Sequence, residues 1–241
     1  MKKMKCYCYE TDSEFIFCVE AVENTQLEDT IKHKAWNEVD GKFILSYPQS
    51  SFSNRHEKKL ISNNFANLGQ GMFESSIVGF DWEEPLSQIA QKFTANGIEW
   101  YLVGSICDTI RGIGVKPSDI DIVIHTRDFD KVKELCYSCF AETVIAPFTD
   151  QAALALRYFG RMFLGGALVE IAADEVWNLE SRQQKHEKSV WHNYKQPEYT
   201  KTIWHGYDLY LETLQHRYQI ELVRKRMDKI KAIEKHMNCT G

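Results

Sequence analysis

The stretch Trp100-Tyr-Leu-Val-Gly-Ser-Ile-Cys-Asp-Thr-Ile-Arg-Gly-Ile-Gly-Val-Lys-Pro-Ser-Asp-Ile-Asp-Ile-Val-Ile124 ends in two carboxylates, one residue apart, inside an apolar run. Side chains alternate across a strand, so Asp119 and Asp121 share one face and Ile120, Ile122 and Ile124 the other. Burying such a pair is costly unless a cation compensates it, which makes the acidic face a platform for Mg²⁺. Upstream, Ile98–Val103 reads as a strand running into a Gly104-Ser105 turn. Ile106–Arg111 reads as a short helix, and residues 112–118 as the loop that delivers the acidic strand.

That order suits a nucleoside triphosphate. Gly104 lets backbone approach phosphate oxygens, and Ser105 adds a hydroxyl at a helix start, where the helix dipole favours negative charge. Two Mg²⁺ ions about 3.5–4 Å apart on Asp119 and Asp121 would polarise the α-phosphate and neutralise departing pyrophosphate. A third acid is needed. Glu170, alone between Val169 and Ile171 in the apolar run Phe163–Ala172, is the candidate as metal ligand or base, with Asp174 and Glu175 in reserve. Arg111 is placed to grip β- and γ-phosphates as a bidentate donor, or to form a surface salt bridge.

The combination Val103-Gly104-Ser105, Arg111, Ser118-Asp119-Ile-Asp121-Ile-Val and Val169-Glu170-Ile171 resembles the polymerase-beta-like nucleotidyltransferase superfamily over residues 83–175. More weakly, Leu211-Glu212 and Arg226-Met-Asp228-Lys-Ile230 resemble helices that follow the sheet in its bacterial minimal and aminoglycoside-type members. The resemblance implies an α+β fold with a mixed sheet flanked by helices. It also implies an enzyme that binds NTP and Mg²⁺ and moves a nucleoside monophosphate to an acceptor hydroxyl with release of pyrophosphate. By position, Gly104 and Ser105 would contact phosphates, and Asp119, Asp121 and Glu170 would hold metal. Glu stands where Asp is usual for the third acid. Acceptors in the superfamily range from antibiotics to proteins and RNA, and fold kinship does not choose among them.

Around this core, residues 1–80 read as a small α+β module without assigned chemistry. It has strands at 6–9, 14–22 and 41–47, a helix at 26–35, and a helix at 56–68 closed by Gly69. Its aromatic residues Tyr7, Tyr9, Phe15, Phe17, Trp36 and Phe43 suit a core, or stacking on bases. Residues 81–180 form the catalytic core, with helices starting near Asp81–Pro85 and spanning 128–139. Residues 181–241 comprise a polar loop, a short segment at 207–210 and one long basic helix carrying Leu211, Leu214, Val223, Met227, Ile230 and Met237. Its Arg and Lys residues form a solvated face, or a hold for phosphate or RNA. Trp177, Trp191, Tyr194, Tyr199 and Trp204 line an acceptor cleft or anchor this helix, and Asp174, Glu175 and Glu180 supply acids nearby.

Composition sets bounds. With 241 residues, 44% of them hydrophobic, the chain can build a core, and a net charge of −5 creates no global field for nucleic acid or anionic lipid. No apolar run approaches the roughly 20 residues of a membrane span. Seven cysteines without a leader favour reduced thiols and a cytoplasmic setting. Cys136-Tyr-Ser-Cys139 continues a helical apolar series, and Cys6, Cys8 and Cys18 lack a fourth ligand, so both groups read as core rather than zinc sites. Phosphatase chemistry is disfavoured because Ile122–Thr126 continues the strand. Nucleotide-sugar transfer leaves Gly104-Ser105 and Glu170 unexplained, and a non-catalytic module of the same fold sits poorly with three retained acids.

Overall fold

A computed structural model describes residues 4–34, 36–144, 156–174 and 199–240. Antiparallel strands β1 (Lys5–Glu10), β2 (Glu14–Glu20), β3 (Asn37–Val39) and β4 (Lys42–Pro48) form an amino-terminal sheet in the order β1-β2-β4-β3. Helix α1 (Thr25–His33) starts at Asn24, whose side chain accepts from the N–H groups of Gln26 and Leu27. Helix α2 (Arg55–Val78) starts the same way at Asn54.

Gly69 does not stop α2, which runs to Val78 and ends at Gly79 with φ +83°. Gly69 serves close packing instead, since a Cβ there would lie 2.8 Å from the Cys6 sulfur. Phe15, Phe17, Trp36 and Phe43 are buried in the module's core, whereas Tyr9 is exposed.

The second sheet has seven strands in the order β10-β11-β5-β6-β9-β8-β7. They are β5 (Trp100–Val103), β6 (Ile120–His125), β7 (Phe140–Val144), β8 (Leu156–Leu164), β9 (Ala167–Asp174), β10 (Tyr199–Trp204) and β11 (Tyr207–Glu212). β6 runs parallel to β9 and β11 to β5, and the other pairings are antiparallel, so the sheet is mixed. Helices α3 (Glu83–Ala95), α4 (Ser105–Ile110) and α5 (Phe129–Leu135) lie in the same part of the chain. The architecture is α+β.

Three further expectations differ from the structure. The single strand expected over 163–172 is a hairpin: Gly165 and Gly166 both take positive φ, the geometry of a two-residue turn that suits strand twist. The helix expected over 128–139 ends at Leu135, with a turn following. The long carboxy-terminal helix is two, α6 (Leu214–Arg224) and α7 (Met227–Thr240), broken at Lys225 in the left-handed region, and Leu211 belongs to β11.

Two cores sandwich the large sheet. On one face Leu86, Ile89, Ala90 and Phe93 of α3 pack with Phe129 and Val132 against Ile120, Ile122, Ile124, Val169 and Ile171. Each large aliphatic or aromatic side chain so buried contributes about 1.5–3 kcal/mol. On the other, Ile31 of α1 and Phe65, Met72 and Phe73 of α2 share a core with Ala141 of β7 and Leu168 of β9. The amino-terminal module is thus built onto the sheet face that carries the acids. Cys6 and Cys136 are buried within these cores. No described helix is long and apolar enough to cross a membrane.

Candidate active site

Strand register lines up four charged residues in one row across the sheet. Asp121 of β6 is opposite Glu170 of β9, Glu170 opposite Arg161 of β8, and Arg161 opposite Glu142 of β7. Residues directly opposite on neighbouring strands lie about 4.5–5.5 Å apart, so alternation within each strand and pairing between strands suffice to assemble the row. Arg161 donates from Nε to Glu170 Oε1 at 3.0 Å and from a terminal nitrogen to Glu142 Oε2 at 2.6 Å. The Tyr47 hydroxyl donates to the other oxygen of Glu142.

Asp119 precedes β6 and joins this row from its end. Asp119, Asp121 and Glu170 each offer a carboxylate oxygen within 4.8 Å of the others, the only such group of three potential metal ligands among the described residues. Ser118 Oγ donates to Asp119 Oδ1 at 3.1 Å. Into the group comes Lys34, at the carboxy-terminal cap of α1. Its ammonium is 2.5 Å from Asp119 Oδ2 and 2.9 Å from Glu170 Oε1. Nothing in the sequence around Lys34 marks it, because it lies 85 residues from Asp119 and 136 from Glu170.

The carboxylates are not equivalent. Burial works to raise the pKa of Glu170, but the Lys34 ammonium and Arg161 guanidinium outweigh it and bring it down to about 2. Asp121 goes the other way: burial, then Asp119, then Glu170 push it well above the ordinary value. No described residue donates a hydrogen bond to it. Lys34 is itself raised, burial being overcome by Glu170, Asp119 and Asp121.

Gly104 sits directly beside Asp121. It has φ +75° and ψ −161°, and a Cβ there would collide with Asp121 Oδ2. The Gly104 N–H donates to Glu212 Oε2 at 3.1 Å, which ties the turn to the end of β11. Ser105, buried, begins α4. Arg111 donates to the carbonyl oxygens of Cys107 at 3.5 Å and Glu212 at 2.5 Å, so its guanidinium fastens α4 to β11. Arg224, exposed at the end of α6, is a cation on the carboxy-terminal helices whose charge bears on Asp121. Its own pKa is lowered by the protein around it and by Arg226.

Tyr199 packs on Tyr101 with ring centroids 4.4 Å apart, and Trp204 lies 5.8 Å from Trp82. Both therefore brace the sheet. Asp174 closes β9 opposite His125, and its side chain lies outside the described residues, as do Glu175, Trp177, Glu180, Trp191 and Tyr194. Three converging carboxylates are hard oxygen donors of the kind that hold Mg²⁺.

No protein-family model matches the chain, and no curated protein matches it. Among solved structures it is similar to a candidate nucleotidyltransferase from Thermotoga maritima, with 19% identity over 64% of this chain and 90% of that one and a TM-score of 0.42. It is also similar to an antigenic nucleotidyltransferase-like protein from Paracoccidioides brasiliensis, at 16% identity over 63% and 76% of the two chains with a TM-score of 0.39. The antibiotic-resistance factor ANT(2'')-Ia is a third, at 9% identity over 66% and 83% with a TM-score of 0.41. Likeness at this level leaves the functional reading to the site's own residues.

Proposed function

We propose that this chain is a Mg²⁺-dependent nucleotidyltransferase that moves a nucleoside monophosphate from an NTP to an acceptor hydroxyl, working in the reducing cytoplasm. The observation that carries the reading is the convergence of Asp119, Asp121 and Glu170 beside the Gly104 turn. In the reaction the acceptor oxygen bonds to the α-phosphorus, the bond from that phosphorus to the bridging oxygen breaks, pyrophosphate leaves, and the hydroxyl proton passes to solvent. Asp119, Asp121 and Glu170 would hold Mg²⁺, which when bound polarises the α-phosphate and offsets charge on the leaving group.

The chain's own groups supply the rest. A carboxylate held at about 2 is a weak base at neutral pH, which suits Glu170 to holding a cation rather than taking the acceptor's proton. Gly104, lacking a side chain, lets the Asp121 carboxylate lie against the turn where α4 begins, and phosphate oxygens would approach the site beside that turn. With Arg111 engaged by two carbonyls, Arg224 is the better-placed guanidinium for the triphosphate. The acceptor is a small hydroxylated molecule, RNA or protein. Incubation with α-labelled NTPs and each acceptor class tests the reading: labelled product should form with wild type and vanish with Asp121→Asn. Undiminished transfer by that variant in Mg²⁺ overturns it.

A further inference from the structure

The amino-terminal module places a fixed cation inside the carboxylate group. From this we infer that Lys34 stands in for one of the two divalent ions such a site would otherwise hold, so that the protein binds a single divalent ion. The inference rests on the proposed function and assigns the module its part in it.

Three observations support this. First, the ammonium bridges Asp119 Oδ2 and Glu170 Oε1, two of the three carboxylates, at 2.5 and 2.9 Å. Asp121, the third, is the one without a hydrogen-bond donor among the described residues. Second, Lys34 is held in place from behind. Its carbonyl accepts from Arg161 at 3.3 Å, and Arg161 is itself fixed by Glu170 and Glu142. Just before it, Ile31 is fully buried in the core that α1 and α2 share with β7 and β9. A module fused to the sheet through a common core is not a lid, so the ammonium is a lasting part of the site. Third, the charges count to one ion. Of the cations near Asp119, Asp121, Glu170 and Glu142, Lys34 and Arg161 are ion-paired to them and Arg224 acts on Asp121 from further off, so the paired cations leave two negative charges for a single divalent cation to neutralise.

Two of the three ammonium N–H donors are used on the carboxylates. Among the described residues the third has no acceptor, which leaves it to a substrate oxygen. Lys34 thereby supplies positive charge that a second metal would bring, as a compact point charge on a flexible stem.

The test is Mn²⁺ stoichiometry on the full chain, measured by calorimetry and by electron paramagnetic resonance. Wild type should take up one Mn²⁺ with the spectrum of an isolated ion. Lys34→Met should take up two, with the broadened spectrum of a coupled pair. Lys34→Gln, which keeps a hydrogen-bonding side chain without the charge, should behave as Lys34→Met and guards against a folding failure in the latter. Two ions on wild type, or only one on folded charge-free variants, overturns the role of Lys34 while leaving the nucleotidyl-transfer reading intact. No Mn²⁺ on any of these proteins overturns both. One ion on wild type and two on the variants, without nucleotidyl transfer to any acceptor, upholds Lys34's place and overturns the reaction.

Discussion

Replacing Gly104 by Ala separates backbone strain from damage to the acidic group. At φ +75° and ψ −161° this residue occupies a region almost confined to glycine, so any side chain costs about 1–3 kcal/mol. For a chain of this size each kcal/mol lowers Tm by about 2–4 °C, so the expected loss is about 2–12 °C. The second effect is local. The new Cβ would fall inside contact distance of Asp121 Oδ2, with Asp121 Cγ only 3.3 Å away. Restoring an ordinary contact of 3.5–4 Å moves the carboxylate by about 1 Å, and a misplacement of that size costs about 100-fold in rate. Gly112 provides the control: it too has positive φ, +77°, but a Cβ there meets nothing within 4 Å. Thermal melts and nucleotidyl-transfer rates of both variants should therefore show comparable destabilisation, with the large rate loss confined to Gly104→Ala. If Gly104→Ala turns over as fast as Gly112→Ala, the placement of Asp121 against the turn is wrong.

Arg217 is buried with Asp108, Glu212 and Glu221 around it. Arg217→Leu strands these carboxylates, and a broken buried pair costs about 3–5 kcal/mol, so a thermal melt should fall by about 6–20 °C; an unchanged Tm refutes the network. In EDTA, Asp121→Asn should melt above wild type at neutral pH. The folded state raises this carboxyl, so its stabilising contribution is complete below the ordinary 3.8 and is lost as pH rises through the folded value. The advantage of the variant should accordingly vanish in acid, and a constant gap from acid to neutral pH contradicts the assignment. Burial pushes Cys6 up to about 12 and Cys136 up to about 11, while Cys239 is exposed. Iodoacetamide at about pH 8, near the ordinary thiol range, should label Cys239 first, as read by mass spectrometry. Equal labelling of Cys6 would show that α2 does not cover β1.

Much of the site was legible because strand physics is local. Alternation put Asp119 and Asp121 opposite three isoleucines, and a lone Glu170 among apolar neighbours marked the partner strand. The same reasoning missed the Gly165-Gly166 hairpin, although two glycines between apolar runs are a standard turn signal. Without that turn β8 could not be separated from β9, and Arg161 could not be seen facing Glu170. Lys34 had no signature: a lysine at a helix end is ordinary, and only tertiary docking through Ile31, Leu168 and Ala141 delivers it to Asp119. Helical periodicity ran on past Lys225 because the break there is a single left-handed residue without glycine or proline to announce it.

The most direct test of the account is anomalous diffraction from crystals grown with Mn²⁺ and a non-hydrolysable NTP analogue. A Mn²⁺ peak coordinated by Asp121 and Asp119 is expected, with the analogue's phosphates beside Gly104. Manganese bound elsewhere, or phosphates that avoid the Gly104 turn, would contradict it.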